Sequence, residues 1–167
     1  KRLYNDFFGG LFHDLPEAVT RDIISPVKTS SEDFESIIHE IEQKLAEDEI
    51  YPLLEHKEWQ NEIRSFTQSE FINKVNINSE YDFTKTVEDI NKFYNEDKYN
   101  PYDGVLVRAA DQLAAYLEAK SSINFGIHSE DLISAIDGLR NKYNVQIGNI
   151  DFAKLYESLW VSTALTR

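Results

Sequence analysis

The sequence predicts an all-α fold: a bundle of helices interrupted by one irregular polar excursion at about residues 67–100. Three observations predict it. Apolar residues recur at the three- and four-residue spacing of a helix face through most of the chain. Six Gly and four Pro are too few for a domain built on many tight turns. Hydrophobic residues make up 41% of 167 residues, with ten Phe and nine Tyr, which supplies one sizeable core and excludes a largely disordered chain.

Each element has its own local reason. Leu3, Phe7, Phe8, Leu11 and Phe12 recur at helical spacing, so residues 2–13 read as a helix. Pro16 suits the first turn of a short second helix reaching about Ile24, and Ser25-Pro26 forces an extended exit. Thr29-x-x-Glu32 is a capping-box pattern opening a helix with Phe34, Ile37, Ile38, Ile41 and Leu45 on one face. Pro52 ends that region, and Trp59, Ile63 and Phe66 stripe the next helix. Between 67 and 100 the chain is polar, but Phe71, Ile72, Val75, Ile77, Tyr81 and Phe83 give it an apolar side and room for a short hairpin. A long helix is expected from about Tyr102 to Ile123. One with Leu132, Ile133, Ile136, Leu139 and Tyr143 follows, and then, past Gly148-Asn149, one with Phe152, Leu155, Tyr156 and Leu159. No repeat or linker divides the chain, so residues 1–167 are expected to form one domain. It begins at Lys1 inside an amphipathic pattern and has no Met, so it is expected to continue upstream.

Charge and composition then restrict the function classes. A net charge of −13 denies the chain the basic surface that a nucleic-acid binder needs. A phosphate-bearing substrate must instead meet a local positive centre such as a bound metal. The absence of Cys excludes disulfides, thiolate metal sites and cysteine nucleophiles. The longest apolar stretch, Val105 to Ala119, is broken by Arg108, Asp111, Gln112 and Glu118. No membrane span or signal peptide is expected, and the expected location is cytoplasmic.

Two places concentrate chemistry. His13-Asp14 stands at the expected end of the first helix, with Gly9 and Gly10 read as allowing close approach of a neighbouring helix. An imidazole nitrogen and a carboxylate oxygen suit manganese, iron, cobalt or zinc. By itself the pair also reads as a helix C-terminus followed by a capping aspartate. Asp111 falls among Val107, Ala114 and Ala115 on its helix, an apolar face where a carboxylate needs a compensating cation, whether a metal or a basic side chain. Glu17 is placed for the first turn of its helix, where acids are favoured anyway. His39 shares a polar face with Glu35 and Glu42, His56 lies in a charged loop, and His128 precedes a Ser129 cap. None of the three has a ligand's context. Asn95 to Asp103 is acidic but lacks the spacing of a calcium loop.

The run His13-Asp14, Glu17, Asp22, Pro26-Val27-Lys28, followed far downstream by Ala110-Asp111-Gln112-Leu113-Ala114-Ala115-Tyr116-Leu117, resembles the HD-domain metal-dependent phosphohydrolases. Within that family it is most similar to the branch of bacterial 5′-deoxynucleotidases. Other branches fit less well. Glu17 is followed by Ala18 rather than the Asp of alarmone hydrolases. The Gly-Tyr-Pro of cyclic-dinucleotide phosphodiesterases is absent, as are the second histidine and Pro-Phe-Gly of the triphosphohydrolases.

The resemblance implies an HD-domain helical bundle and one divalent transition metal (Mn, Co, Zn, Fe or Ni) held by His13, Asp14 and Asp111. The family also uses a first histidine from an upstream helix. Only twelve residues precede His13 and none is histidine, so that ligand is expected upstream of Lys1. The resemblance further implies that Glu17 works on the attacking water, Asp22 on a sugar hydroxyl and Lys28 on phosphate. The activity implied is hydrolysis of nucleoside or deoxynucleoside 5′-monophosphates. The alternative is a catalytically silent HD-fold scaffold or nucleotide-sensing module. Expected partners are a small nucleotide or other phosphoester, with no nucleic-acid polymer and no membrane. Homo-oligomerisation stays open.

Overall fold

In a computed structural model, which describes residues 1–20, 32–127 and 129–161, the order of elements follows the helical pattern. Among the described residues, β structure is confined to two two-stranded hairpins and one isolated bridge between Lys74 and Tyr102. The fold is all-α. The chain divides into two compact units, Phe7–Glu70 and Lys1–Asp6 with Phe71–Arg167, and the boundary falls inside the first helix.

The unit Phe7–Glu70 contains the end of α1 (Arg2–Phe12), then α2 (Glu17–Thr20), α3 (Glu32–Leu45) and α4 (Lys57–Thr67). A π-helical turn, Ala46–Ile50, and a 3-10 turn, Tyr51–Leu53, join α3 to α4. Phe8 stacks on Phe12 one turn ahead and on Phe66 of α4, with ring centroids 5.8 and 6.3 Å apart. Buried Tyr51 shares a 2.7 Å hydrogen bond with Thr67 Oγ1, and Gln43 Nε2 donates to the Thr67 carbonyl at 3.1 Å. Arg64 forks onto both Glu47 oxygens at 2.8 and 2.7 Å while covering the Tyr51 ring. That hydrogen-bonded fork holds the Glu47 carboxyl below its ordinary range.

Several faces differ from the expectation. In α1, Leu3, Phe7 and Leu11 are exposed, while Phe8 and Phe12 are half-buried. In α3, Ile37 and Ile41 point to solvent, and Glu42, expected on the polar face, is buried and accepts a 3.4 Å hydrogen bond from Thr20 Oγ1. Trp59 of α4 is exposed too. Two adjacent strips of α3 both satisfy helical spacing, and the partner elements select Ile38 and Glu42 over Ile37 and Ile41. The expected Thr29 cap and Ser25-Pro26 exit lie outside the described residues.

In the other unit the expected excursion is more ordered than its composition suggests. Strands β1 (Val75–Ile77) and β2 (Glu80–Asp82) pair Val75 with Asp82 and Ile77 with Glu80. Their two-residue turn, Asn78-Ser79, has positive φ at both positions, the twist that suits a hairpin. Helix α5 (Val87–Phe93) is an addition to the sequence reading. Its N-terminus is a complete capping box: Thr86 Oγ1 accepts from Asp89 N, and Thr86 N donates to Asp89 Oδ2, each at 3.1 Å. Buried Val87 and Ile90 anchor it. After a 3-10 turn, Asp97–Tyr99, come α6 (Gly104–Asn124), α7 (Glu130–Lys142), the small hairpin β3 (Gln146–Ile147) and β4 (Ile150–Asp151), and α8 (Phe152–Val161).

Gly126, with φ +92°, closes α6 by donating to the Ile123 carbonyl, and Ile127 N reaches the Ser122 carbonyl. Ser129 caps α7 through Leu132 N. The core of this unit is Ala109, Tyr116, Ile136, Tyr143, Phe152 and Tyr156. No helix among the described residues is long and apolar enough to cross a membrane.

Candidate metal centre

His13 stands one residue past the end of α1, where helical carbonyls run out of backbone partners. Its own N–H still donates to the Gly9 carbonyl at 3.0 Å, and its ring Nδ1 lies 3.0 Å from the Gly10 carbonyl oxygen. A carbonyl can only accept, so Nδ1 carries the hydrogen and Nε2 becomes the ring's lone-pair nitrogen in the neutral form. The next residue begins a tight turn, with Leu15 N donating to the Phe12 carbonyl and Glu17 N to the Asp14 carbonyl, both at 2.9 Å. That turn swings Asp14 back so that its Oδ2 lies 3.2 Å from His13 Nε2.

This separation is informative. Two ligand atoms held about 2.1 Å from one ion, at about 100° to each other, stand about 3.2 Å apart. A neutral imidazole lone pair facing a carboxylate oxygen at that distance needs either a proton or a cation between them. The His13 side chain is 11% exposed and that of Asp14 62%, so the imidazole is sheltered and the carboxylate faces outward. The Gly10 carbonyl acts as the orienting group that metal-ligating histidines commonly have on their other nitrogen. It was not anticipated from the sequence, although a histidine just past a helix end signals an unpaired carbonyl three residues back. Gly10 itself corrects an expectation. Among the described residues, a Cβ added there would meet nothing within 4 Å, so Gly10 mediates no close approach to a described helix.

Asp111 lies in the middle of α6 and is half-buried, with Gln112 Nε2 donating to its Oδ2 at 3.1 Å. Its surroundings on the helix differ from those expected. Val107 is buried, but Ala114 and Ala115 are exposed. The buried strip of α6 instead runs through Val107, Ala109, Tyr116 and Lys120. Asp111 flanks that strip, because the α7 and α8 side of the helix is covered by large residues such as Tyr143 and Tyr156. Glu17 is half-buried and opens α2. His39 and His56 are exposed, and His56 packs on Trp59 with ring centroids 4.5 Å apart. Asp22, Lys28 and His128 lie outside the described residues.

His13, Asp14 and Asp111 offer one imidazole and two carboxylates, donor types that can hold a metal ion. Nitrogen and oxygen donors without thiolate suit divalent first-row metals, and the set fits the ion expected from the sequence. The fold is helical, and these donors are of a kind that can bind a metal. A model of the HD domain family matches residues 1–140, and the chain belongs to that family, the metal-dependent phosphohydrolases, whose substrates are small phosphoesters. No curated protein and no solved structure matches the chain.

Proposed function

We propose that the protein is a phosphomonoesterase, acting on nucleoside or deoxynucleoside 5′-monophosphates, in which His13, Asp14 and Asp111 hold one divalent cation. The observation that carries the reading is the 3.2 Å approach of His13 Nε2 to Asp14 Oδ2 with Nδ1 already committed to the Gly10 carbonyl. When bound, such an ion lowers the pKa of a coordinated water towards about 7 and offsets phosphate charge.

The chain's own residues supply the rest. Nδ1–H···O=C bonding keeps the His13 ring from turning and leaves Nε2 as the ligand atom. Asp14 adds negative charge beside it and so favours a divalent cation, and Asp111 is the third donor that the resemblance implies. Glu17, three residues past Asp14 on the next helix, receives the proton of the attacking water or orients it as the oxygen closes on phosphorus. The P–O bond to the sugar breaks, and the nucleoside departs as an alcohol after taking up a proton. Asp22 at a sugar hydroxyl and Lys28 at a phosphate oxygen complete the reading and rest on the resemblance alone.

The test is a panel of phosphoesters assayed with Mn, Co, Zn, Fe or Ni added singly to metal-stripped protein. Metal-dependent release of phosphate from 5′-monophosphates supports the reading. Nucleotide binding with no turnover under any metal would replace it with a silent sensing module. A protein that takes up no metal, with His13 titrating as an ordinary ion pair to Asp14, would remove the site.

A further inference from the structure

Within the unit Lys1–Asp6 with Phe71–Arg167, the start of α1 meets the start of α6 through a carboxyl pair. Arg2 forks onto Asp103, Nε to Oδ2 at 2.5 Å and Nη2 to Oδ1 at 2.9 Å, and Asp103 is only 1% exposed. The remaining guanidinium nitrogen, Nη1, is spent on Asn91 Oδ1 and Asn95 Oδ1 at 2.7 and 3.0 Å. Asp6, one turn along α1, reaches the same place: its Oδ1 accepts the Asp103 backbone N–H at 2.8 Å. The charged groups that bear on Asp6 are therefore Arg2 and Asp103, and the neutral amides of Asn91 and Asn95 flank Arg2. Two carboxyl groups thus sit by one guanidinium, four of whose five N–H donors are placed on Asp103, Asn91 and Asn95. Ionising both would leave an uncompensated charge next to a buried one.

We propose that Asp6 and Asp103 are a proton-sharing clamp that fastens the first turn of α1 to the N-terminus of α6, tight when the pair holds a proton and loosened when it does not. With a proton on Asp6, its hydroxyl can donate to the Asp103 carboxylate while its other oxygen keeps the Asp103 amide. Without the proton, two carboxylates face each other. Burial pushes the Asp6 carboxyl up to about 7, and the neighbouring Asp103 charge reinforces the shift, against the lowering effects of the Asp103 amide and of Arg2. The clamp therefore works across neutral pH rather than in the acid range of ordinary carboxyls.

The sign follows from linkage. Asp6 is raised above its unfolded value, so the folded chain binds the proton between about pH 4 and 7 and the unfolded chain does not. The stability due to the proton falls as pH rises through that interval and levels off above about 7. Asp6→Asn, a neutral mimic of the protonated acid, should match wild type in melting temperature near pH 4 and exceed it increasingly up to about pH 7.5. The excess should then stay constant. In carbon-detected titration of aspartate side chains, one carboxyl should titrate near 7 and disappear in Asp6→Asn. In Asp103→Asn its midpoint should drop by about one pH unit or more. Melting curves of wild type and Asp6→Asn that stay parallel from pH 5 to 8.5, or an Asp6 resonance titrating below about pH 5, would overturn the proposal. These readouts need no metal and no substrate, so they stand or fall separately from the enzymatic reading.

Discussion

Substituting Gly104 by alanine tests how α6 is seated. Gly104 is the first residue of α6, and an added Cβ would lie 2.6 Å from the Ile72 carbonyl carbon and closer still to the Ile72 N and O. Ordinary contact begins at about 3.4 Å and the Ile72 N and O would lie nearest, so about 1 Å of backbone movement is needed, and no flexible side chain can absorb it. Ile72 is tied in directly afterwards. Asn73 donates to the Lys85 carbonyl and accepts from Val105 N at 3.0 and 3.2 Å, and Lys74 exchanges two 2.9 Å backbone hydrogen bonds with Tyr102. Overpacking of this kind costs about 1–3 kcal/mol. One or two weakened hydrogen bonds add about 1 kcal/mol each. Against this, alanine has the better helix propensity by up to about 1 kcal/mol. The expected net loss is about 1–4 kcal/mol, a large part of a small protein's stability. Urea unfolding should show it as a fall in midpoint of about 0.5–2 M, taking a slope of about 2 kcal/mol per molar. A loss under about 0.5 kcal/mol would refute the claim that Ile72 and α6 approach as backbone on backbone.

Other expectations follow from single side chains. Glu17→Gln should lower turnover about 10²–10⁴-fold while the protein keeps its metal, as measured by elemental analysis, if Glu17 works on water rather than on the ion. His13→Gln and Asp111→Asn should each lower metal affinity and abolish phosphate release. In chelator, Asp111→Asn should leave stability near wild type, whereas a loss of about 3–5 kcal/mol there would mark Asp111 as partner to a buried cation instead. The hydroxyls of Tyr116 and Tyr156 are buried with no hydrogen-bond partner among the described residues, so Tyr156→Phe should unfold at the same or a higher urea concentration. Burial also raises the Tyr156 phenol to about 12, with Tyr143 and Tyr116 adding to the shift. The unfolded phenol ionises near 10, so stability should fall as pH rises from about 10 to 12, and Tyr156→Phe should soften that alkaline loss.

Local pattern carried most of the helical architecture. Phe8 and Phe12 at i, i+4, Ser129 before α7 and the long apolar run of α6 are each legible without a partner, because helix spacing and capping are properties of neighbouring residues. The same holds for α5, whose Thr86-x-x-Asp89 cap was present to be read but whose seven residues are too few for a periodic stripe. The candidate donors were named from the sequence as well, in His13-Asp14 and in Ala110-Asp111, since a motif stores residue identity and order.

What tertiary structure decided is which of two permissible faces is covered, and what each polar atom meets. Spacing cannot tell Ile37 and Ile41 from Ile38 and Glu42, because neighbouring strips of one helix are equally regular. The choice belongs to the elements packed against it, and they buried a carboxylate next to Thr20. Nor could sequence show that Gly10, not Gly9, lends its carbonyl to the His13 ring, or that Asp111 stands beside exposed Ala114 and Ala115. Arg2 and Asp6 stand about a hundred positions of chain before Asp103, and all three read singly as solvated charges. Only folding brings one guanidinium to two carboxyls, and a shared proton becomes necessary because burial removes the water that would otherwise have solvated the second charge.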